Sequence, residues 1–252
     1  MSKNYYKYLP TSRISYLENE LLRFTQASDL NDPFECLPQK PSIEKLNALI
    51  DSLIPTNTNK MKGKIVREKF DSNFLSNLYE TQYGKVNQDI GILSLSKNWK
   101  NSLMWAHYTE SHKGFCIGFD SQHNFFTNYL CPDKETSKTI REVIYSEKRV
   151  EIPMILGQEK LNFEPYITKS LDWKYEEEVR IISTLNSREH LINGKPLDIY
   201  LFKVPHSAIN EIVLGANINV ENEEKIRKFA SDKKIKLWKS KIAETTFDME
   251  RE

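Results

Sequence analysis

The chain has 252 residues, with 36 Lys and Arg against 35 Asp and Glu, a formal net charge of +1, and 39% hydrophobic residues. So even a balance excludes a dominant electrostatic field for nucleic acid or an acidic membrane surface and leaves only local patches to consider. The apolar content suffices for the core of one domain spanning residues 1–252. Cys36, Cys116 and Cys131 are odd in number and lack C-x-x-C spacing, so they read as reduced intracellular thiols. Met1–Tyr8 carries no apolar leader, and no run reaches the roughly 18 apolar residues of a membrane span, so a cytoplasmic protein is expected.

In chain order, Tyr5–Tyr8 reads as a strand, and Ser12 as the N-cap of a helix with Ile14, Leu17 and Leu21 on one stripe. Leu22–Thr25 reads as a second strand running into the turn Asn31-Asp32-Pro33-Phe34-Glu35. This turn should place Asn31 or Asp32 toward a functional cleft and anchor Phe34 in the core. A helical insert near 42–83 follows, with Val66, Phe70, Phe74 and Leu78 at helical spacing. Ile90–Ser96 then reads as a strand, Ser102–His112 as a helix closed by Gly114, and Phe115–Phe119 as a strand. Later strands are expected near Val143–Tyr145, Glu177–Ser183, Ile199–Val204, Glu211–Leu214 and Ile235–Trp238. Residues 205–252 form a basic C-terminal helix and strands, whose Lys-rich run from Lys225 to Lys241 reads as a solvated face. The class is α+β, a mixed or antiparallel sheet with irregular helices.

The run Trp173-Lys-Tyr-Glu-Glu-Glu-Val-Arg-Ile-Ile182 reads as one strand whose alternation puts Glu176, Glu178 and Arg180 on one face and Val179 and Ile181 on the other. Same-face neighbours lie roughly 6.5 to 7 Å apart, so two carboxylates and a guanidinium converge on one small polar substrate. The plain structural alternative is a solvated salt-bridge ladder.

On the helix after Ser94 and Ser96, Trp105, Tyr108 and His112 fall at i, i+3 and i+7 and make one face suited to a planar ring, whereas His107 points away. Core packing would also use such aromatics. His107, His112, Cys116 and Cys131 share one stretch, but their spacing matches no zinc cage, so no metal is expected.

Tyr6-Lys7-Tyr8, Asn31-Asp-Pro-Phe-Glu35, Met104-Trp-Ala-His-Tyr108, His112-Lys-Gly114 and Trp173-Lys-Tyr-Glu-Glu-Glu-Val-Arg180 together resemble a widespread bacterial family built on a domain of unknown function. Some of its members sit with phage-defence and abortive-infection genes, which leaves a toxin or antitoxin role open. The order of a basic first strand, an S-x-S strand and a late E-x-E strand is also similar to ADP-ribosyltransferases of the Arg-Ser-Glu type. That resemblance implies an ADP-ribosyltransferase-like fold with NAD as substrate, Lys7 or Tyr6 (with Tyr8 beside them) in the first-strand place, Ser94 and Ser96 as the serine motif, and Glu176 and Glu178 as the acidic motif. The expected Arg is replaced by Lys7, with Arg23 as the nearest alternative.

Cleaving the nicotinamide bond of NAD develops an oxocarbenium ion, which asks for one carboxylate near the ribose and a second to orient or deprotonate the acceptor. Glu178 and Glu176 would take these roles, Arg180 would keep Glu178 ionised, and Trp105, His107, Tyr108 or His112 would flank the nucleotide. Glu178→Gln is then expected to abolish activity with the fold intact. The reaction would be ADP-ribosyl transfer to a protein or nucleic-acid acceptor that the sequence does not identify, or hydrolysis of NAD. Two further classes compete: a metal-dependent nuclease with Asp172, Glu178 and Arg180 around Mg²⁺, and a non-enzymatic immunity or regulatory binding module whose ionic strand is an interface.

Overall fold

The computed structural model describes residues 4–40, 42–45, 47–48, 77, 84–128, 139–151 and 162–252. The expected insert at 42–83, including Val66, Phe70, Phe74 and Leu78, falls almost wholly outside these residues, as does Cys131.

The chain opens with β1 (Asn4–Leu9), α1 (Tyr16–Asn19) and β2 (Leu21–Gln26), and continues through α2 (Lys85–Asp89) into β3 (Ile90–Ser96). Then come α3 (Ser102–Tyr108), β4 (Phe115–Asp120), α4 (Asn124–Thr127), β5 (Thr139–Glu142) and β6 (Ile144–Ser146). After α5 (Glu164–Ile167) and β7 (Thr168–Ser170), the chain makes a 3-10 turn, Leu171–Glu176, before β8 (Glu178–Thr184). It ends with β9 (His190–Ile192), β10 (Ile199–Lys203), β11 (Ile209–Leu214), α6 (Val220–Lys233), β12 (Lys236–Ile242) and β13 (Met249–Arg251). The class is α+β. Eleven strands make one open sheet in the order β13-β12-β11-β4-β1-β3-β2-β10-β9, with β8 added on β3 and β5 on β8. Its pairings are antiparallel except that of β11 with β12, and β6 and β7 form a separate parallel pair.

Alternation along β3 and β8 decides the two faces of the sheet. Leu93, Leu95, Val179 and Ile181 enter the larger apolar core with Phe24, Ile117 and Phe119, each such side chain stabilising the fold by about 1.5–3 kcal/mol. The register pairs Ser94 with Arg180 and Ser96 with Glu178, so these four polar residues share the opposite face. On that face they lie between two smaller apolar clusters, one around Trp105, Tyr6 and Tyr8, the other around Ile92, Ile182 and Tyr166.

The sheet forks at β3. One edge of β3 pairs with β8 along its whole length, but the other meets β1 only at Tyr6–Ser96 and β2 only at Ile92–Thr25 and Gly91–Gln26. Between these contacts β1 and β2 diverge and leave a wedge, into which Lys7 Nζ donates a 2.9 Å hydrogen bond to the Ser94 carbonyl.

Three local expectations are corrected. The segment after Pro10 forms only a short 3-10 turn and α1, neither with a side-chain N-cap, and Glu20, left-handed at φ 60°, ends the helix. The Ser102 helix, capped by Asn101 Oδ1 accepting from Leu103 N and Met104 N, stops at Tyr108 and does not reach His112. Glu110, Ser111 and His112 all adopt positive φ, at 52°, 58° and 67°, a left-handed turn costing about 1–2 kcal/mol per residue. Hydrogen bonds from Ser111 N to Ala106 O, His112 N to Trp105 O and Asn217 N to His112 O hold it. Finally, Trp173–Glu176 is not strand: the 3-10 turn ends with Glu177 at φ 44°, and β8 begins at Glu178.

The C-terminal strand, not foreseen from the sequence, braces the start of α3. Met249 N donates to Lys100 O at 2.8 Å, and Asn101 bridges to Asp248. Arg251 grips Glu211 through Nη1–Oε2 at 2.9 Å and Nη2–Oε1 at 2.7 Å, and its guanidinium lies 4.0 Å over the Trp99 ring and 3.3 Å from Tyr6 OH. The basic helix α6 behaves as a solvated face, with Lys225 and Arg227 paired to Glu221 and Glu223.

Candidate functional site

Glu178 and Arg180 sit two residues apart on one face of β8, and Arg180 binds Glu178 with Nε–Oε1 at 2.7 Å and Nη2–Oε2 at 2.9 Å. Arg180 also pairs with Glu35 and donates from Nη1 to Tyr166 O at 2.8 Å. From β7, Lys169 Nζ reaches Glu176 Oε2 at 2.6 Å, Glu35 Oε1 at 3.0 Å and Glu178 Oε2 at 3.3 Å, with its ammonium 4.8 Å from the Trp173 ring centre. All five ionic side chains are buried. The solvated-ladder alternative therefore does not describe this face. The left-handed turn at Glu177 is what brings Glu176 back over the sheet beside Glu178.

Three carboxylates (Glu35, Glu176, Glu178) share two cations (Lys169, Arg180), which leaves one negative charge in excess within the cluster. Burial opposes ionisation of Glu178, yet Arg180 and Lys169, helped by the Ser94 hydroxyl, outweigh it and bring its carboxyl down to about 2. Glu176 goes the other way: burial raises its carboxyl, Lys169 opposes this, and the Glu178 charge adds to the rise. Lys169 and Arg180 are held protonated above their ordinary values, since their carboxylate neighbours overcome the cost of burial.

The cluster opens on a cavity of about 390 Å³ at the fork of the sheet. Lys7, Arg23, Ser94 and Thr25 line it together with the buried ionic wall of Glu176, Glu178, Arg180, Glu35 and Lys169, and the more exposed His107, Tyr108 and Asn31 form its rim. Tyr108 OH donates to Glu176 Oε1 at 2.6 Å and lies 3.4 Å from Asn31 Nδ2, so the rim is tied to the ionic wall. Burial pushes the Tyr108 phenol up, and the Glu176 charge adds to it. Burial lowers the Lys7 ammonium to about 8; Glu178 and Glu176 resist, while Arg23 and Arg13 add to the fall.

Of the residues singled out in the sequence, Tyr6, Lys7, Tyr8, Asn31, Ser94, Ser96, His107, Tyr108, Glu176, Glu178 and Arg180 line this cavity, whereas Asp32, Trp105 and His112 do not. Trp105 is fully buried, donates from Nε1 to Trp99 O at 2.7 Å and packs edge-on against Tyr8. His112 stacks on Trp105 at 6.4 Å from outside the helix. The expected Trp105–Tyr108–His112 face is thus replaced by a His107–Tyr108 rim, because the helix ends at Tyr108. Ser96 lines the cavity but has no hydroxyl to spare: its Oγ lies 2.6 Å from Glu176 O and 2.9 Å from Asn98 O and accepts from Asn98 N. Tyr6 OH is likewise engaged with Glu211 at 2.8 Å.

Asp32 caps its own turn through Phe34 N, and Phe34, expected in the core, is 64% exposed. Both line a second cavity of about 250 Å³, which shares Glu35 and Lys169 with the first. Asp172 is exposed, bonds Ser170 and lies outside both cavities, so the proposed nuclease trio is not gathered. Among the described residues no three His, Cys, Asp or Glu side chains are grouped to hold a metal ion. Cys36 and Cys116 are buried and unbridged. Sequence reading missed Lys169 and Glu35 as site residues. Lys169 had no motif to mark it, and Glu35 appeared only as the end of a turn.

Residues 104–181 match the family described as Protein of unknown function (DUF2971). The matched stretch runs from Met104 in α3 to Ile181 in β8 and so contains His107, Tyr108, Lys169, Glu176, Glu178 and Arg180. No curated protein and no solved structure matches the chain. No helix among the described residues is long and apolar enough to cross a membrane.

Proposed function

We propose that the cavity binds NAD and that the protein cleaves its nicotinamide glycosidic bond, passing the ADP-ribosyl group to water or to a macromolecular acceptor. The observation that carries this reading is the buried cluster of three carboxylates and two cations facing a polar cavity. The fixed Glu178 carboxylate facing this cavity suits the positive charge that develops at the ribose as the bond breaks, in a setting where water screens it little. Glu178, kept ionised by Arg180, supplies fixed charge. Glu176, whose carboxyl is raised by burial, is placed to take a proton from the incoming nucleophile, a role that favours a pKa nearer neutrality. Arg23, which lines the cavity with a buried Nε that has no hydrogen-bond partner among the described residues, suits the diphosphate. The association of some relatives with phage defence would make NAD depletion the effector step.

Calorimetry and NAD turnover test the reading. The wild-type chain should bind and consume NAD, and Glu176→Gln should bind it while turnover falls by about 10²-fold or more. A wild-type protein that binds no NAD, or a Glu176→Gln variant at the wild-type rate, would show the reading wrong.

A further inference from the structure

Lys7 differs in setting from Lys169, the other lysine of the cavity. Lys169 is saturated by three carboxylates, whereas Lys7 forms no ion pair among the described residues and donates only to a backbone carbonyl, Ser94 O at 2.9 Å. It reaches the cavity through the fork where β1 leaves β3, partly buried and fixed at its base by strand pairing to β4. The charged groups around it are Glu178, Glu176, Arg23 and Arg13. Arg23 pairs with Asp29 through Nη2, while its buried Nε has no hydrogen-bond partner among the described residues. An amine outside every ion pair among the described residues, in one cavity with a guanidinium, suits a ligand that carries both an electrophilic carbon and an anion.

We propose that Lys7 is a nucleophilic amine that condenses with the carbonyl carbon of a small anionic aldehyde or ketone, whose carboxylate or phosphate is held by Arg23. Neutral Nζ adds to the carbonyl carbon and the oxygen takes a proton, giving a carbinolamine. The hydroxyl then leaves as water while the nitrogen lone pair closes the C=N bond. The product is a protonated imine, formed with the uptake of one proton and the loss of one water, and no oxidant or reductant takes part. Desolvation beside cationic groups is the setting that activates a lysine for such chemistry, and the ammonium, lowered to about 8, loses its proton within the working range. Glu176, whose carboxyl is raised by burial, faces the same cavity and can return the proton to the departing hydroxyl. The inference does not require NAD to be a substrate.

The test is reductive trapping on the full chain: incubation with pyridoxal 5′-phosphate as the anionic probe, reduction with borohydride, and peptide mass spectrometry over time between pH 7 and 10. Lys7 should be labelled about tenfold or more faster at pH 7.5 than exposed lysines such as Lys113 and Lys234, with a rate midpoint near 8. Arg23→Gln should slow labelling by pyridoxal phosphate and leave labelling by acetaldehyde unchanged. Labelling of Lys7 at the rate of the exposed lysines, or with a rate that keeps rising to pH 10 without a midpoint near 8, would overturn the proposal, and both readouts come from the wild-type protein without any variant that has to fold.

Discussion

Arg180 holds both carboxylate oxygens of Glu178 with two hydrogen bonds, at 2.7 and 2.9 Å, and both side chains are buried. An ion pair so enclosed is costly to break from one side, because the remaining partner keeps its desolvation cost without its counter-charge.

Glu178→Gln therefore tests stability before it tests activity. The variant should lose about 3–5 kcal/mol, as expected when one partner of a buried pair is removed, and a urea titration would register the fall in midpoint. This revises the expectation that the variant leaves the fold intact. Glu176→Gln should cost only about 1 kcal/mol, since an amide keeps bonds to Tyr108 and Lys169. Equal losses in the two variants would contradict this assignment.

Acid should unfold the protein through Glu178. Its folded carboxyl lies near 2 against roughly 4.3 in the unfolded chain, so the linkage is worth up to about 3 kcal/mol. That stability is complete above the unfolded value and disappears as pH falls toward 2. Glu176, raised by burial, contributes with the opposite sign: stability declines as pH climbs from the unfolded value through its folded one. Unfolding free energies at pH 2 to 6 for wild type and Glu178→Gln would check this, the variant giving a clearly flatter acid limb. Parallel curves would refute it.

Tyr108→Phe should move the acid limb of NAD turnover to higher pH by about one unit or less. The phenol donates to Glu176 and favours its ionised form, so removing it raises the carboxyl further. A profile unchanged in position would argue that Glu176 is not the base.

Trp105→Ala should cost about 3–5 kcal/mol in thermal or urea unfolding, because the ring is wholly enclosed among Tyr8, Met104 and Met249. Trp105→Phe should leave any NAD affinity unchanged. A marked loss of affinity in the Phe variant at full stability would return the ring to the ligand.

The strands around the site were legible because their apolar residues alternate: Ile90–Ser96 and Phe115–Phe119 were placed to within a residue, and the shared ionic face of Glu178 and Arg180 follows from the same period of two. Helix ends were not. Nothing in Glu110-Ser-His112 announces three positive φ values, since this left-handed turn in non-glycine residues depends on carbonyls of α3 and on the Asn217 N–H from the β11–α6 loop. The ionic cluster was half legible. Glu176, Glu178 and Arg180 lie together in sequence, but Lys169 and Glu35 join them only through β7 and the Asp32 turn, contacts that local pattern does not encode.

The brace that Arg251 provides has a consequence for biosynthesis. Tyr6 and Arg251 meet across 245 residues, and Met249 closes the cluster beneath α3 that Tyr6 and Tyr8 begin. During translation the first strand emerges long before its distal partners, so that cluster stays open until the ribosome has passed residue 251. Whatever chemistry the cavity performs would be withheld from a nascent chain and would begin only after the last brace has docked, which delays the onset of activity until synthesis of this stretch is over.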